Sequence, residues 1–160
     1  MVGMPLNIYQ VCNYIILTCE RAGNHLSVLK LQKLLYYAQA WHLAFYGTPL
    51  FNGRFQAWVH GPVSRDIYDR FAGTKGLYTA VGDADIPAAF NPDELPPEAR
   101  AHVDAVLESY AGYTGAQLEE LSHSEQPWIA ARDGFSPSQR CERQIDENLM
   151  RDYYAQRIEK

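Results

Sequence analysis

Apolar side chains recur every three or four positions over the first part of the chain, which is the spacing of one helix face. The first such stretch covers residues 7–22 and opens with Asn7 and Gln10, the arrangement of a capping box. In the second stretch, residues 27–47, apolar residues surround nearly the whole helix circumference. The narrow polar stripe that remains there consists of Gln32, Gln39 and His42. The pattern predicts two helices, with the second at the centre of the fold.

An alternating pattern follows the second helix and predicts a short β-hairpin. Leu50-Phe51 and residues 54–59 have the character of its two strands. Asn52-Gly53 lies between them and is typical of a type I′ turn. Pro62 suits the first turn of a third helix, which we expect to run to Ala72.

The rest of the chain predicts further helices after one irregular segment. Residues 73–97 are rich in Gly, Asp, Pro and Ala and show no period, apart from a run over 77–81 that we expect to form an edge strand. Helical patterns then cover residues 97–110, 114–122, 127–132 and 146–160. The expected fold is mainly α: one compact helical domain over residues 1–160, with a small β-hairpin between the second and third helices.

Length and composition narrow the class of protein. A chain of 160 residues with 47% hydrophobic content can close one core but leaves little room for a second. No apolar stretch is long enough to span a membrane, and the first residues lack the features of a signal peptide. Cys12, Cys19 and Cys141 form no CxxC pair. We therefore expect a cytoplasmic protein with free thiols.

The net charge of −5 argues against nucleic acid as a partner of this chain alone, because an acidic chain repels phosphates. Neither a helix-turn-helix nor a basic arm is evident, so transcriptional autoregulation ranks last among the functions considered. An acidic chain instead permits a basic protein partner.

The side chains that carry chemistry form no recognised catalytic or metal-binding motif. The five histidines are scattered and no HExxH motif occurs, so we expect no metal site and no cofactor. Gly61-Pro62 lacks the Lys-Ser/Thr that follows a phosphate-binding loop. Gln32 and Lys33 lie in an otherwise apolar helix, where a structural role is favoured over catalysis. Their expected partners are neighbouring backbone groups, Asp66 or Glu125.

Three separated blocks of sequence resemble, in order, the signatures of the Panacea domain family. The blocks are residues 31–41, residues 57–63 together with Tyr68, and residues 121–128. Ser122 stands where the family usually has Thr, and His60 stands where Tyr is common. The motif residues, most of which we expect to be structural, are Leu31, Gln32, Lys33, Tyr36, Trp58, Gly61, Pro62, Val63, Tyr68, His123, Pro127 and Trp128.

The resemblance implies an antitoxin rather than an enzyme. The family includes phage-associated GepA-like proteins and SocA-type antitoxins, which neutralise a cognate toxin by direct protein–protein binding. The toxin is typically encoded by an adjacent gene. In the SocA-like branch the antitoxin is similar to a proteolytic adaptor, which delivers its toxin to the ClpXP protease through ClpX.

Variable loops on a fixed helical scaffold suit a protein that must match one partner, so we expect the binding surface on the hairpin and residues 73–97. Candidate partner-binding residues there are Arg54, His60 and Tyr78. A second function class stays open, a small hydrolytic or nucleotide-processing enzyme with a buried polar site. That site would be formed by Gln32, Lys33, His60, Asp66 and His123.

Overall fold

A computed structural model describes residues 4–158 of the chain. The helices in this part are α1 (Ile8–Arg21), α2 (Val28–Tyr46), α3 (Arg65–Phe71), α4 (Pro97–Tyr110), α5 (Gly115–His123), α6 (Gln126–Ala131) and α7 (Glu147–Ala155). The strands are β1 (Leu6–Asn7), β2 (Phe51–Asn52), β3 (Phe55–Trp58) and β4 (Gly61–Ser64). The predicted fold class is confirmed: the chain is mainly helical, with a small hairpin between the second and third helices.

Helix α2 lies at the centre of the molecule. The Ser27 hydroxyl accepts a hydrogen bond from the Lys30 amide at its start, and Gly47 ends the helix with a φ of +74°. Its side chains are buried on nearly all sides because α1, α4, α5, α7 and β4 all pack against it. An apolar pattern around the whole circumference predicted this position.

The predicted strand pairing of the hairpin was wrong. Strand β2 pairs in parallel with β1, and the antiparallel hairpin is formed by β3 and β4 around a turn at Val59 and His60. Asn52-Gly53 therefore joins β2 to β3 without pairing them. The partners of β2 are distant in sequence, which a local turn signal cannot reveal.

The predicted start of the third helix was also wrong. Pro62 lies in β4, opposite Ala57, and α3 begins at Arg65. The cause is Ser64, whose hydroxyl accepts a hydrogen bond from the Ile67 amide and so caps the helix.

Two segments without regular structure are tied to the core by backbone hydrogen bonds. The Ala57 amide donates to the Arg143 carbonyl, so the chain before α7 runs beside β3. The amide of Leu29 donates to the Leu77 carbonyl at the first turn of α2. The edge strand expected over residues 77–81 is reduced to a single bridge, between Ser27 and Ala80.

The last helix is shorter than predicted: it was expected over residues 146–160 but ends at Ala155. Residues 1–3 and 159–160 lie outside the described part of the chain. Within the described residues, no helix is long and apolar enough to cross a membrane.

Gln39 of α2 holds the segment that contains β2. Its side-chain oxygen accepts hydrogen bonds from the amides of Leu50 at 2.8 Å and Phe51 at 3.3 Å. Its side-chain nitrogen donates to the Phe51 carbonyl at 2.9 Å. Because Gln39 is fully buried, no water replaces these bonds if the amide is removed.

We expect Gln39→Leu to lower the free energy of unfolding by about 2 to 4 kcal/mol, since it leaves three buried backbone groups unpaired. Urea denaturation measures this change. Gln10→Leu is the control, because the Gln10 side chain makes one surface contact, with Glu94. Equal losses in the two variants would contradict the role given to Gln39.

Candidate functional site

The three motif blocks meet at the β3–β4 hairpin, and their polar side chains bind its backbone. From α2, the Gln32 side chain donates to the Ser64 carbonyl at 3.0 Å and accepts from the Ser64 amide at 2.8 Å. Lys33 Nζ donates to the Pro62 carbonyl at 3.0 Å. The second turn of α2 thus takes the place of a neighbouring strand.

The last motif block holds the other strand. Trp128 Nε1 donates to the Trp58 carbonyl at 2.8 Å, and Arg132 donates to the Ala57 carbonyl at 2.7 Å. The Arg132 guanidinium lies 5.0 Å from the centre of the Trp128 ring, and the His123 ring stacks on the same tryptophan at 4.3 Å. The hairpin is therefore fixed from α2 and from α6.

Gly61 lies where the hairpin turn presses against Lys33. It has a φ of +98°, and a Cβ atom there would lie 2.6 Å from Lys33 Cε and 2.8 Å from Ser122 Oγ. Both the backbone conformation and the lack of space require glycine at this position.

Glu125, also in the third block, joins three helices. Its Oε1 accepts hydrogen bonds from the hydroxyls of Tyr37 at 2.7 Å and Tyr154 at 2.8 Å, and the Tyr36 hydroxyl lies 3.2 Å from that of Tyr154. Burial raises the pKa of Glu125, while the two tyrosine hydrogen bonds act in the opposite direction. These contacts give Glu125 a role in joining α2, α6 and α7.

The polar residues considered for an enzyme site are only partly brought together. Lys33, His60 and His123 lie around Glu119, and His60 Nδ1 is 3.2 Å from Glu119 Oε1. Lys33 contacts the Pro62 carbonyl rather than Asp66 or Glu125, and Gln32 is bound to Ser64. Lys33 is fully buried, so no bound molecule reaches its amine without movement of the hairpin. Within residues 4–158, no three His, Cys, Asp or Glu side chains are close enough together to hold a metal ion.

The outer face of the hairpin is different, because two cavities there flank an aromatic pair, the half-buried Trp58 and the exposed Tyr68. Trp58 and Tyr68 have ring centres 4.9 Å apart, and the Arg65 guanidinium lies within 5.7 Å of both. We call these three residues the aromatic ridge. Tyr68 is 42% exposed.

The inner cavity, of about 320 Å³, lies between the ridge, the start of α2 and residues 72–77. The arginine cavity, of about 430 Å³, lies on the other side and is lined by Arg65, Arg140 and Glu142. Trp58, His60 and Tyr68 line both cavities. The ridge is therefore the wall between two adjoining depressions.

The three candidate partner-binding residues differ in their relation to these cavities. His60 lines both cavities, and Tyr78 is 71% exposed beside Leu77, which lines the inner cavity. Arg54 lies at the opposite end of the hairpin, 3.3 Å from Glu147. The sequence analysis missed Arg65 and the pair Arg140 and Glu142, whose only signal was the small basic group around Cys141.

A comparison with family models identifies the class of protein. The model described as "Antitoxin SocA-like, Panacea domain" matches residues 31–129, a range that contains all three motif blocks. The chain belongs to this family.

One relative can be named. The chain is 34% identical over 115 residues to Antitoxin SocA from Caulobacter vibrioides (strain NA1000 / CB15N). The matched region covers 68% of this chain and 61% of that relative, so the chain spans less than two thirds of the relative's length. No solved structure matches the chain.

We expect Gly61→Ala to destabilise the protein by about 2 to 4 kcal/mol, because it combines a strained φ with a clash against Lys33 and Ser122. Thermal or urea denaturation measures the loss. The control is Gly112→Ala, where a Cβ meets nothing within 4 Å and φ is not positive. A Gly61→Ala protein as stable as the control would argue against the tight turn.

Lys33 should make stability depend on pH. Burial lowers its pKa from 10.5 to about 7, so between those values the unfolded chain holds a proton that the folded chain lacks. Stability from this group therefore rises with pH above about 7. Urea denaturation between pH 6 and about 9 should show a steeper rise for the wild type than for Lys33→Met. Parallel curves for the two proteins would contradict the lowered pKa.

Proposed function

We propose that this chain is an antitoxin that neutralises a cognate toxin by direct protein–protein binding. Membership of the antitoxin family supports this role. The structural observation that carries the proposal is that the two sides of the hairpin have different contacts. The buried polar side chains bind the backbone from inside, whereas the aromatic ridge and its two cavities face solvent.

The proposed binding surface is the aromatic ridge with the wall formed by residues 72–77. Tyrosine, tryptophan and arginine are the residue types that most often carry binding energy in protein interfaces. Here Trp58, Arg65 and Tyr68 stand side by side on a strand and a helix that are held by the core. His60 lines both cavities of this surface, and the exposed Tyr78 follows Leu77 of the inner cavity.

Neutralisation of this kind requires no chemical turnover. Lys33 and Ser122 are fully buried behind the hairpin. Ser122 Oγ donates to the Glu119 carbonyl, as expected of a hydroxyl that stabilises the last turn of a helix. These contacts favour a binding protein over the hydrolytic or nucleotide-processing alternative.

The proposal has a finer form, suggested by the family resemblance of the sequence. The toxin is encoded by an adjacent gene and is bound in the cytoplasm, and the complex is then delivered to ClpXP through ClpX. Masking and delivery differ in one measurable respect. Delivery shortens the half-life of the toxin in cells that contain ClpX, whereas masking leaves the half-life unchanged.

Expression of the adjacent reading frame should arrest growth, and co-expression of this chain should restore it. Tyr68→Ser should lose most of this protection while its melting temperature stays within a few degrees of the wild type, since Tyr68 lies at the surface and is 42% exposed. Tyr113→Ser is the matched control, because Tyr113 is 47% exposed and lies outside both cavities. Full protection by Tyr68→Ser would mean that the toxin binds elsewhere on the chain. If expression of the adjacent reading frame does not arrest growth, that gene does not encode the proposed toxin.

A further inference from the structure

The arginine cavity has more positive than negative charge. Arg65 and Arg140 share one carboxylate, that of Glu142, at 3.6 Å and 2.7 Å. The second contact of Arg65, to Asp69 at the rim, is long at 3.7 Å. One carboxylate between two guanidinium groups leaves donors free for a further anion.

The excess of positive charge is confined to the arginine cavity. The inner cavity has one charged lining residue, Lys75, whose charge is balanced by Asp85 at 3.5 Å. The arginine cavity is lined by two guanidinium groups and one carboxylate, in a chain whose net charge is −5. The arginine cavity therefore favours an acidic ligand group.

The inner cavity has the size and lining of a pocket for one large apolar side chain. Its volume of about 320 Å³ is near the lower limit of ligand pockets. Apart from Trp58 and Tyr68 of the ridge, its large apolar lining residues are Val28, Val63, Phe71 and Leu77. Gln32, His60 and Lys75 add polar groups to the lining. A buried aromatic or aliphatic anchor that fills such a pocket is the usual centre of a protein interface.

We infer that the surface recognises a segment of a partner protein with two features: a large apolar side chain that enters the inner cavity, and an Asp or Glu that binds Arg65 and Arg140. The inference rests on the proposed function only in taking the toxin to be this partner. Because the cavities share a wall, the two side chains are separated by about one to three residues of extended chain, at roughly 3.3 Å per residue. The predicted partner segment is acidic, not basic as the net charge alone indicated.

Arginines beside aromatic rings also suit nucleotides, and the details of the site favour protein. Glu142 lies between the two guanidinium groups and repels a phosphate more strongly than a singly charged carboxylate. The Trp58 and Tyr68 rings meet edge to face at 4.9 Å, so they do not form parallel platforms for successive bases. Nucleotide binding is therefore the competing outcome of the test.

A library of random dodecapeptides displayed on phage, selected against the purified full chain, tests the inference without knowledge of the toxin. Enriched sequences should contain Trp, Phe, Leu or Met with Asp or Glu within about three positions. A synthetic peptide of the consensus sequence should bind at least about tenfold more tightly than the same peptide with its acid replaced by Lys or its anchor by Ala. A selection without enrichment, or with enrichment of basic peptides, would overturn the inference.

Charge reversal locates the contact. The double variant Arg65→Glu/Arg140→Glu should no longer bind the consensus peptide and should bind more tightly the peptide in which Lys replaces the acid. Its melting temperature should be unchanged. Arg54→Glu is the control, because Arg54 is equally exposed but lies at the other end of the hairpin. Equal weakening by both variants would mean a general charge effect and would overturn the assigned site.

Two further measurements separate the competing explanations. Displacement of the peptide by ATP or a short oligonucleotide at micromolar concentration would favour nucleotide binding and overturn the inference, as would a wild-type dimer that the double variant dissociates. If this chain restores growth but the selected peptides show no preference for an acidic and an apolar residue, this inference alone fails. If the preference is found but no neighbouring toxin exists, the proposed function fails and the peptide site stands.

Discussion

The structure depends on hydrogen bonds from buried side chains of α2 to the backbone of short strands. A two-stranded hairpin is barely stable in water, and unpaired buried backbone groups are costly. Gln32 pairs with Ser64, Lys33 with the Pro62 carbonyl, and Gln39 with the segment at Phe51. The central helix therefore supplies both the apolar core and the missing edge of the sheet.

This arrangement explains the polar residues in the most apolar helix of the chain. Gln32 and Gln39 are seven positions apart, close to two helical turns, so both face the strands. Each glutamine offers a donor and an acceptor, as a backbone amide does. Burial disfavours the charged form of the Lys33 amine. The flexible lysine side chain nevertheless reaches the carbonyl of Pro62, the residue after Gly61. What looked like candidate chemistry in the sequence is the means by which the hairpin is held.

The sequence predicted some elements well for identifiable reasons. The bounds of α1 and α2 followed from their caps, Asn7 and Ser27, together with a sustained period. The hairpin was placed one strand too early, because the local Asn52-Gly53 signal gave no information on the pairing of β2 with β1. The family motif identified in the sequence includes Trp58 and Tyr68, which lie in the candidate site. Arg140, by contrast, comes from a distant irregular segment whose approach to α3 no periodicity indicates.

The separation of buried polar contacts from exposed aromatic ones has a consequence for recognition. The backbone of β3 and β4 is bound from the inside and Ser64 caps α3, so the backbone positions of Trp58 and Tyr68 are set by contacts other than those of their own side chains. Rings and guanidinium groups held in place before binding lose less conformational entropy on binding. A surface of this kind can change its side chains, and with them its partner, while the polar framework beneath is unchanged. The scaffold thus accounts for how a small helical domain can present the proposed binding surface.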